Sequence, residues 1–261
     1  MPAQTSFPHG TPSWVDLPST DVEAASSFYS ALFGWDVAPA EQQDAGDYRM
    51  ARLNGAYVAG IAQQQPEAAA SGAPPMWNTY VTVDDVDAAA EQIEKAGGTV
   101  LMKPTDIVDA GRMAFAMDPG GAAFAVWEAR NHKGAGIVNE PGTQCWNELN
   151  TRDTDGATRF YGTIFGWEAR ASASDAMPYT EFHLGERPIG GMIRMTEEWG
   201  DAPPHWMVYF AVEDCDATVA KCAALGGKEC VPATDIPVGR FAVLEDPQGA
   251  TFSVIRLNEA S

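Results

Sequence analysis

The stretch Trp14-Val-Asp-Leu-Pro-Ser-Thr-Asp21 returns as Trp146-Asn-Glu-Leu-Asn-Thr-Arg-Asp153, 132 residues further along the chain. Phe28-Tyr29 and Phe33-Gly34-Trp35 return at the same offset as Phe160-Tyr161 and Phe165-Gly166-Trp167. Further out, Pro74-Pro75-Met76-Trp77 matches Pro203-Pro204-His205-Trp206, and Gly97-Gly98 matches Gly226-Gly227. Thr105-Asp106-Ile107 then matches Thr234-Asp235-Ile236, Gly111-Arg112 matches Gly239-Arg240, and Asp118-Pro119 matches Asp246-Pro247. The offset slips to 129 and then 128, as it does when one copy loses a few loop residues. A unit this long is no solenoid repeat, and each copy is expected to be a domain. The expected boundaries are 8–130 for the first domain, 131–141 for a linker containing Gly, and 142–258 for the second.

Within a copy the pattern predicts mixed elements. Trp14 to Leu17 alternates like a strand, and Thr20 with Glu23 three residues on predicts a capping box for the helix through Phe28-Tyr29. Gly34 is placed to close that helix in the left-handed conformation. Tyr48–Leu53 and Tyr57–Ile61 predict a hairpin around Asn54-Gly55. A Pro-rich loop leads to a strand over Asn78–Val83 and a helix over Asp85–Ala96, closed by Gly97-Gly98. Arg112–Met117 and Ala122–Trp127 predict a second hairpin across Asp118-Pro119-Gly120-Gly121. Each copy therefore reads β-α-β-β-(β) twice. The class is α+β, without the strict alternation of a Rossmann sheet.

Composition narrows the function classes. The chain has 261 residues, 45% of them hydrophobic, so it can bury a substantial core, and its formal net charge is −20. Such a surface repels phosphate backbones and anionic lipid, so neither nucleic acid nor membrane is expected as a partner. No apolar run approaches the ~20 residues that span a bilayer. The start, MPAQTSFPHGTPSW, shows no basic region followed by an apolar one, and a cytoplasmic location is expected. Cys145, Cys215, Cys222 and Cys230 form no C-x-x-C pair and read as free thiols.

Taken in order and repeated twice, these motifs resemble the vicinal oxygen chelate superfamily of glyoxalases, bleomycin-resistance proteins and extradiol dioxygenases. Asp21 opening a helix with Phe-Tyr and Phe-Gly-Trp is similar to that family's first βαβββ unit. Val83-Asp84-Asp85-Val86-Asp87, Ala96-Gly97-Gly98, Gly111-Arg112 and Asp118-Pro119-Gly120-Gly121 are similar to its second. The resemblance implies two glyoxalase-like domains in tandem. In each, paired βαβββ units would curl a mixed sheet into a cup that holds a ligand.

The resemblance also implies where a divalent metal would bind, and those places are poorly equipped here. Seven residues before the helix-opening Asp stand Trp14 and Trp146, the second unit's strand carries Asn78 and Met207, and the last strand carries Ala125 and Ser253. Indole, thioether and methyl groups do not replace imidazole or carboxylate around a hard or borderline cation. No cofactor is therefore expected, and a divalent metal stays open only on a shifted ligand set. Strand alternation places Asp16 beside Trp14 and Glu148 beside Trp146 on one face, with His205 sharing the face of Met207. Glu148 and His205 are thus a candidate catalytic or metal pair in the second copy, with His183 of the Tyr179–Leu184 strand as a further candidate contributor; the competing reading is a hydrogen-bonded structural carboxylate. His9 and His132, in tail and linker, are expected to be solvated. Arg112 and Arg240 are expected to make structural ion pairs with Asp106 and Asp235.

The candidate ligand-binding positions are Trp14, Asp16, Asn78, Tyr80, Trp146, Glu148, His205, Met207, Tyr209 and Ser253, with Trp127 nearby. Flat side chains with polar tips suit a planar organic molecule; the same tryptophans would equally plug a cup as core. Three functions remain open. The first is metal-independent binding of a planar or aromatic small molecule, for drug sequestration or as an accessory in natural-product metabolism. The second is a metal-dependent glyoxalase-like lyase or dioxygenase with a non-standard ligand set. The third is a fold retained for protein interaction. Either a monomer or a homodimer is consistent with two fused copies.

Overall fold

The computed structural model describes residues 5–40, 47–70, 74–172 and 178–258. In the first copy the chain forms β1 (Pro12–Ser19), α1 (Val22–Phe33), β2 (Asp36–Pro39), β3 (Tyr48–Leu53) and β4 (Ala56–Gln63). A short helix, α2 (Pro66–Ala70), precedes β5 (Asn78–Thr82), α3 (Val86–Lys95), β6 (Thr99–Ile107), β7 (Gly111–Met117) and β8 (Ala123–Ala129). The second copy repeats this as β9 (Gln144–Thr151), α4 (Thr154–Phe165), β10 (Glu168–Ala171), β11 (Thr180–Leu184) and β12 (Arg187–Arg194). Its second unit is β13 (His205–Ala211), α5 (Cys215–Ala224), β14 (Lys228–Ile236), β15 (Gly239–Glu245) and β16 (Thr251–Leu257).

Each copy makes one open eight-stranded mixed sheet, in the orders β2-β3-β4-β1-β5-β8-β7-β6 and β10-β11-β12-β9-β13-β16-β15-β14. The first strands of the two units, β1 with β5 and β9 with β13, pair antiparallel at the centre. Each also pairs in parallel with the last strand of its own unit. This is the paired βαβββ arrangement of a curled cup, and the α+β class follows from it. Among the described residues, no helix is long and apolar enough to cross a membrane.

Helix starts depend on aspartate. Asp21, Asp85, Asp153 and Asp214 each accept the backbone N–H three residues on, satisfying a donor the helix cannot. The expected Thr20/Glu23 box does not form: Asp21 is the cap, and Glu23 pairs with Arg49 at 2.8 Å. The charged guanidinium competes successfully for that carboxylate because it adds a charge-assisted bond. Arg112 and Arg240 do bind Asp106 and Asp235 at 3.2 Å, and each binds a helix aspartate more closely, Asp87 or Asp216, at 2.8 Å.

The core lies between the domains. One apolar cluster joins Phe28, Tyr29, Leu32 and Trp35 of the first copy to Phe210, Leu244 and Phe252 of the second. The other joins Val86, Ile93 and Phe124 of the first to Phe160, Tyr161, Trp167 and Phe182 of the second. Two matching hydrogen-bond chains cross this interface. Trp77 donates to the Tyr29 hydroxyl (3.1 Å), which donates to Asp246 (3.1 Å); Trp206 donates to Tyr161 (3.0 Å), which donates to Asp118 (2.9 Å). Trp35 and Trp167 donate across to the carbonyls of Gly142 and Gly10. The repeated Phe-Tyr, Phe-Gly-Trp and Asp-Pro motifs thus hold the two domains together, and both concave faces are left pointing away from the shared core.

Candidate functional site

On β1, Val15 and Leu17 join the interdomain core, so alternation turns Trp14 and Asp16 to the concave face. On β9, Leu149 points to the core and Thr79 of the other domain donates to Asn147 at 2.9 Å. Trp146, Glu148 and Asn150 therefore line the second cup. In register, Glu148 stands between Gly191 of β12 and Met207 of β13, and Asp16 between Gly60 of β4 and Asn78 of β5.

Both buried carboxylates are held by tyrosines. In the second cup, Tyr209 donates to Glu148 Oε1 at 2.9 Å, and Tyr179 adds a second hydrogen bond while accepting one from Trp146 Nε1 at 2.7 Å. In the first, Tyr80 and Tyr48 donate to Asp16 Oδ2 at 2.7 and 3.3 Å, and Asn78 donates to Oδ1 at 2.9 Å. Trp14 donates to Tyr48 at 3.0 Å. Tyr48 and Tyr179 reach these positions because each lies over a glycine, Gly60 or Gly191, where any Cβ would collide with the phenol. Burial is the largest influence on each carboxyl and favours its neutral form. It raises Asp16 and pushes Glu148 up to about 7, against the opposing hydrogen bonds. Tyr48, Tyr80, Tyr179 and Tyr209 are all raised by burial and by the neighbouring carboxylate, so they remain O–H donors. Glu148 is accordingly a group that can gain or lose a proton near neutral pH.

The two cups differ in what covers them. The linker runs over the first. Ala135 N–H donates to the Ser13 carbonyl (2.8 Å), Gly136 N–H to Tyr57 (2.7 Å), and Trp127 Nε1 to the His132 carbonyl (3.0 Å). Gly134, at φ 104°, permits the close crossing over Ser13. The expectation of a solvated His132 is corrected: its ring packs edge-on against Trp14, centroids 4.4 Å apart. Burial pushes it down to about 4, so the ring is neutral, and among the described residues its Nε2 has no hydrogen-bond partner. Phe7, Ala135 and Val138 pack into the same cluster with Trp14, Tyr80 and Trp127. Trp14 is consequently 3% exposed. Among the described residues, the apolar lining of the second cup, Met207, Tyr209, Ile255, Trp146, Phe241 and their neighbours, comes from its own strands, and Trp146 is only half-buried.

The proposed Glu148/His205 pair does not form. His205 stands opposite Asn150, one pleat away from Glu148. Its Nδ1 lies 2.9 Å from the Pro203 carbonyl and its Nε2 3.3 Å from Asn150 Nδ2, so both ring nitrogens are engaged. Met207 and Tyr209 flank Glu148 as alternation predicts, and Ser253 lies opposite Tyr209 on β16. His183 binds Glu181 at 2.9 Å. The donor set does not suit a metal of the family's usual kind. Around Glu148 the in-register neighbours are a glycine and a methionine, and among the described residues no three His, Cys, Asp or Glu side chains converge. Tyr48, Tyr179, Gly60, Gly191, Asn150 and His132 are absent from the sequence-derived site. Four of them carried a signal, since both the tyrosines and the glycines recur at an offset of 131.

A family model described as the Glyoxalase/Bleomycin resistance protein/Dioxygenase superfamily matches residues 11–126, and one described as a Glyoxalase-like domain matches residues 146–255. The chain is 48% identical over 260 residues to "Putative glyoxylase CFP32" of Mycobacterium bovis, covering 98% of each. It is 39% identical over 265 residues to the anthracycline biosynthesis protein DnrV of Streptomyces peucetius, covering 98% of this chain and 96% of that one. Among solved structures, the Mn(II)-bound glyoxalase from Novosphingobium aromaticivorans aligns with a TM-score of 0.65 at 16% identity, over 98% of this chain and 85% of that one. At that identity the likeness concerns the fold.

Proposed function

Because the chain belongs to the glyoxalase/bleomycin resistance protein/dioxygenase superfamily in both of its halves, we propose that it binds a small planar aromatic molecule in the cup of its second domain, without the metal usual in its family. The observation that carries this reading is the asymmetry of the two cups. The first is filled by the chain's own linker against Trp14, while among the described residues the apolar cluster of the second comes from its own strands. Trp146, Tyr179, Tyr209 and Phe241 offer flat walls, and Glu148 a polar floor. The name of the Streptomyces peucetius relative, an anthracycline biosynthesis protein, points the same way, since anthracyclines are planar fused-ring aromatics. Accessory binding in natural-product metabolism, or sequestration, is the role such a cup would serve.

The test is a tryptophan-fluorescence titration with anthraflavic acid, a dihydroxyanthraquinone, together with elemental analysis after exposure to Mn²⁺, Fe²⁺, Co²⁺, Ni²⁺ and Zn²⁺. Saturable quenching that Trp146→Leu abolishes and Trp14→Leu leaves intact is the expected result. Quenching indifferent to Trp146 overturns the choice of cup. Stoichiometric metal that disappears in Glu148→Gln overturns the metal-free reading in favour of a lyase or dioxygenase.

A further inference from the structure

The concave face of the second cup can be followed residue by residue along two antiparallel strands. Trp146, Glu148 and Asn150 of β9 stand opposite Tyr209, Met207 and His205 of β13. The intervening Trp206, Val208 and Phe210 turn to the core, so the three pairs form one row on the concave side. Four residues of strand separate Tyr209 from His205, a length of about 13 Å. An indole and a phenol mark one end of this row, Glu148 its middle, and the His205 imidazole the other end. That imidazole is fixed in place through both nitrogens, by the Pro203 carbonyl and the Asn150 side chain.

A further aromatic ring stands at that far end. Trp199 lies in the 3₁₀ turn Glu197–Trp199 between β12 and β13, and its ring centroid is 6.2 Å from that of His205. Among the described residues it is the one aromatic side chain left exposed, at 37%. The turn that carries it is braced. Arg152, just past the end of β9, donates to the carbonyls of Thr196 (3.3 Å), Gly200 (2.7 Å) and Ala202 (3.1 Å), on both sides of Trp199. Three charge-assisted bonds into one loop hold its path. The sister domain has none of these parts. Counting back from the matched Pro-Pro pairs, Trp199 answers to Ala70 and His205 to Met76, while Arg152 answers to Thr20. The indole, its imidazole neighbour and its guanidinium brace thus occur together in the second cup and are all missing from the first, which the linker fills.

From this arrangement we infer that Trp199 contacts the ligand, and that the second cup takes an elongated flat molecule of three or more fused rings, lying along the row from Trp146 and Tyr209 to His205 and Trp199. The inference rests on the aromatic-binding reading of the same cup and adds the ligand's length and its second anchor. A flat molecule of one or two rings reaches from Trp146 past Glu148 and stops short of Trp199. Three fused rings with a substituent at each end cover the whole row and lay their far ring against the indole, burying apolar surface that folding leaves in water. Arg152 is a positioning residue, acting on the ligand only through the turn that carries Trp199.

The test uses two probes of different length, anthraflavic acid with three fused rings and 2,6-dihydroxynaphthalene with two, on the intact chain. Equilibrium dialysis is the readout, because it does not depend on which tryptophans remain. Trp199→Ala is expected to weaken anthraflavic acid about tenfold, as loss of one stacking partner does, and to leave 2,6-dihydroxynaphthalene unchanged. The shorter probe thereby also reports that the variant cup is intact. Arg152→Met is expected to weaken anthraflavic acid severalfold and to add nothing when combined with Trp199→Ala, since it acts through the same ring. If Trp199→Ala binds anthraflavic acid as the wild type does while Trp146→Leu abolishes binding, the length inference is overturned and the cup reading survives. Equal weakening of both probes by Trp199→Ala overturns it as well, because the shorter one does not reach the indole. If neither probe binds the wild type, both readings fail.

Discussion

Glu148 offers a quantitative check that needs no ligand. Its carboxyl is buried against Tyr179 and Tyr209 and pushed from an ordinary 4.5 up to about 7, chiefly by burial. In the unfolded chain it returns to the ordinary value. Between those two pH values the native protein holds a proton that the unfolded chain has released, so stability falls as pH rises through the window. The carboxyl is fully compatible with the fold below about pH 4.5, and the whole penalty is present above about pH 7. At about 1.4 kcal/mol per pH unit the difference amounts to about 3 kcal/mol. Glu148→Gln keeps the shape of the protonated acid and cannot ionise. The variant should therefore match the wild type near pH 4.5 and exceed it by about 3 kcal/mol at pH 8. The assay is urea unfolding of both proteins at half-unit pH steps, reading only the difference between them. Asp16, raised in the same direction, is present in both proteins and cancels. A difference that stays flat from pH 4.5 to 8, or that shrinks as pH rises, would refute the claim that Glu148 sits desolvated and uncompensated by positive charge.

Three further perturbations bear on the architecture. Tyr29→Phe and Tyr161→Phe each remove the hydroxyl between an indole N–H and a carboxylate of the other domain. Each should cost about 1–3 kcal/mol in urea unfolding, with similar values for the two because the chains match; no measurable loss in either would deny that these bridges hold the domains. Gly191→Ala places a Cβ against the Tyr179 hydroxyl. It should cost about 1–3 kcal/mol and weaken fluorescence-detected binding of anthraflavic acid, whereas unaltered binding would mean Tyr179 does not shape the cup. His132→Gly strips the ring from Trp14. Acrylamide quenching of tryptophan should then rise, and unchanged quenching would show that the rest of the linker covers the first cup without it.

The sequence alone determined the duplication, the α+β class and most element positions. Those follow from local physics: the Asp-opened helices with glycine after them, the strand alternation around Trp14 and Trp146, and a repeat that spans the chain. It also told which face Asp16 and Glu148 point to. It misassigned what depends on pairing between distant strands. His205 shares a face with Glu148, yet register sets it opposite Asn150, and only a β-ladder decides register. Tyr48 and Tyr179 stood in plain view, but their reach over Gly60 and Gly191 arises from neighbouring strands that are close in space only after folding. The difference between the cups was the least legible. His132, Gly134 and Ala135 read as an ordinary polar linker, and their burial over Trp14 comes from where β8 delivers the chain relative to the concave face. Local propensity is encoded residue by residue and could be read directly. Which cup is covered is a property of the path between domains, which no window of sequence contains.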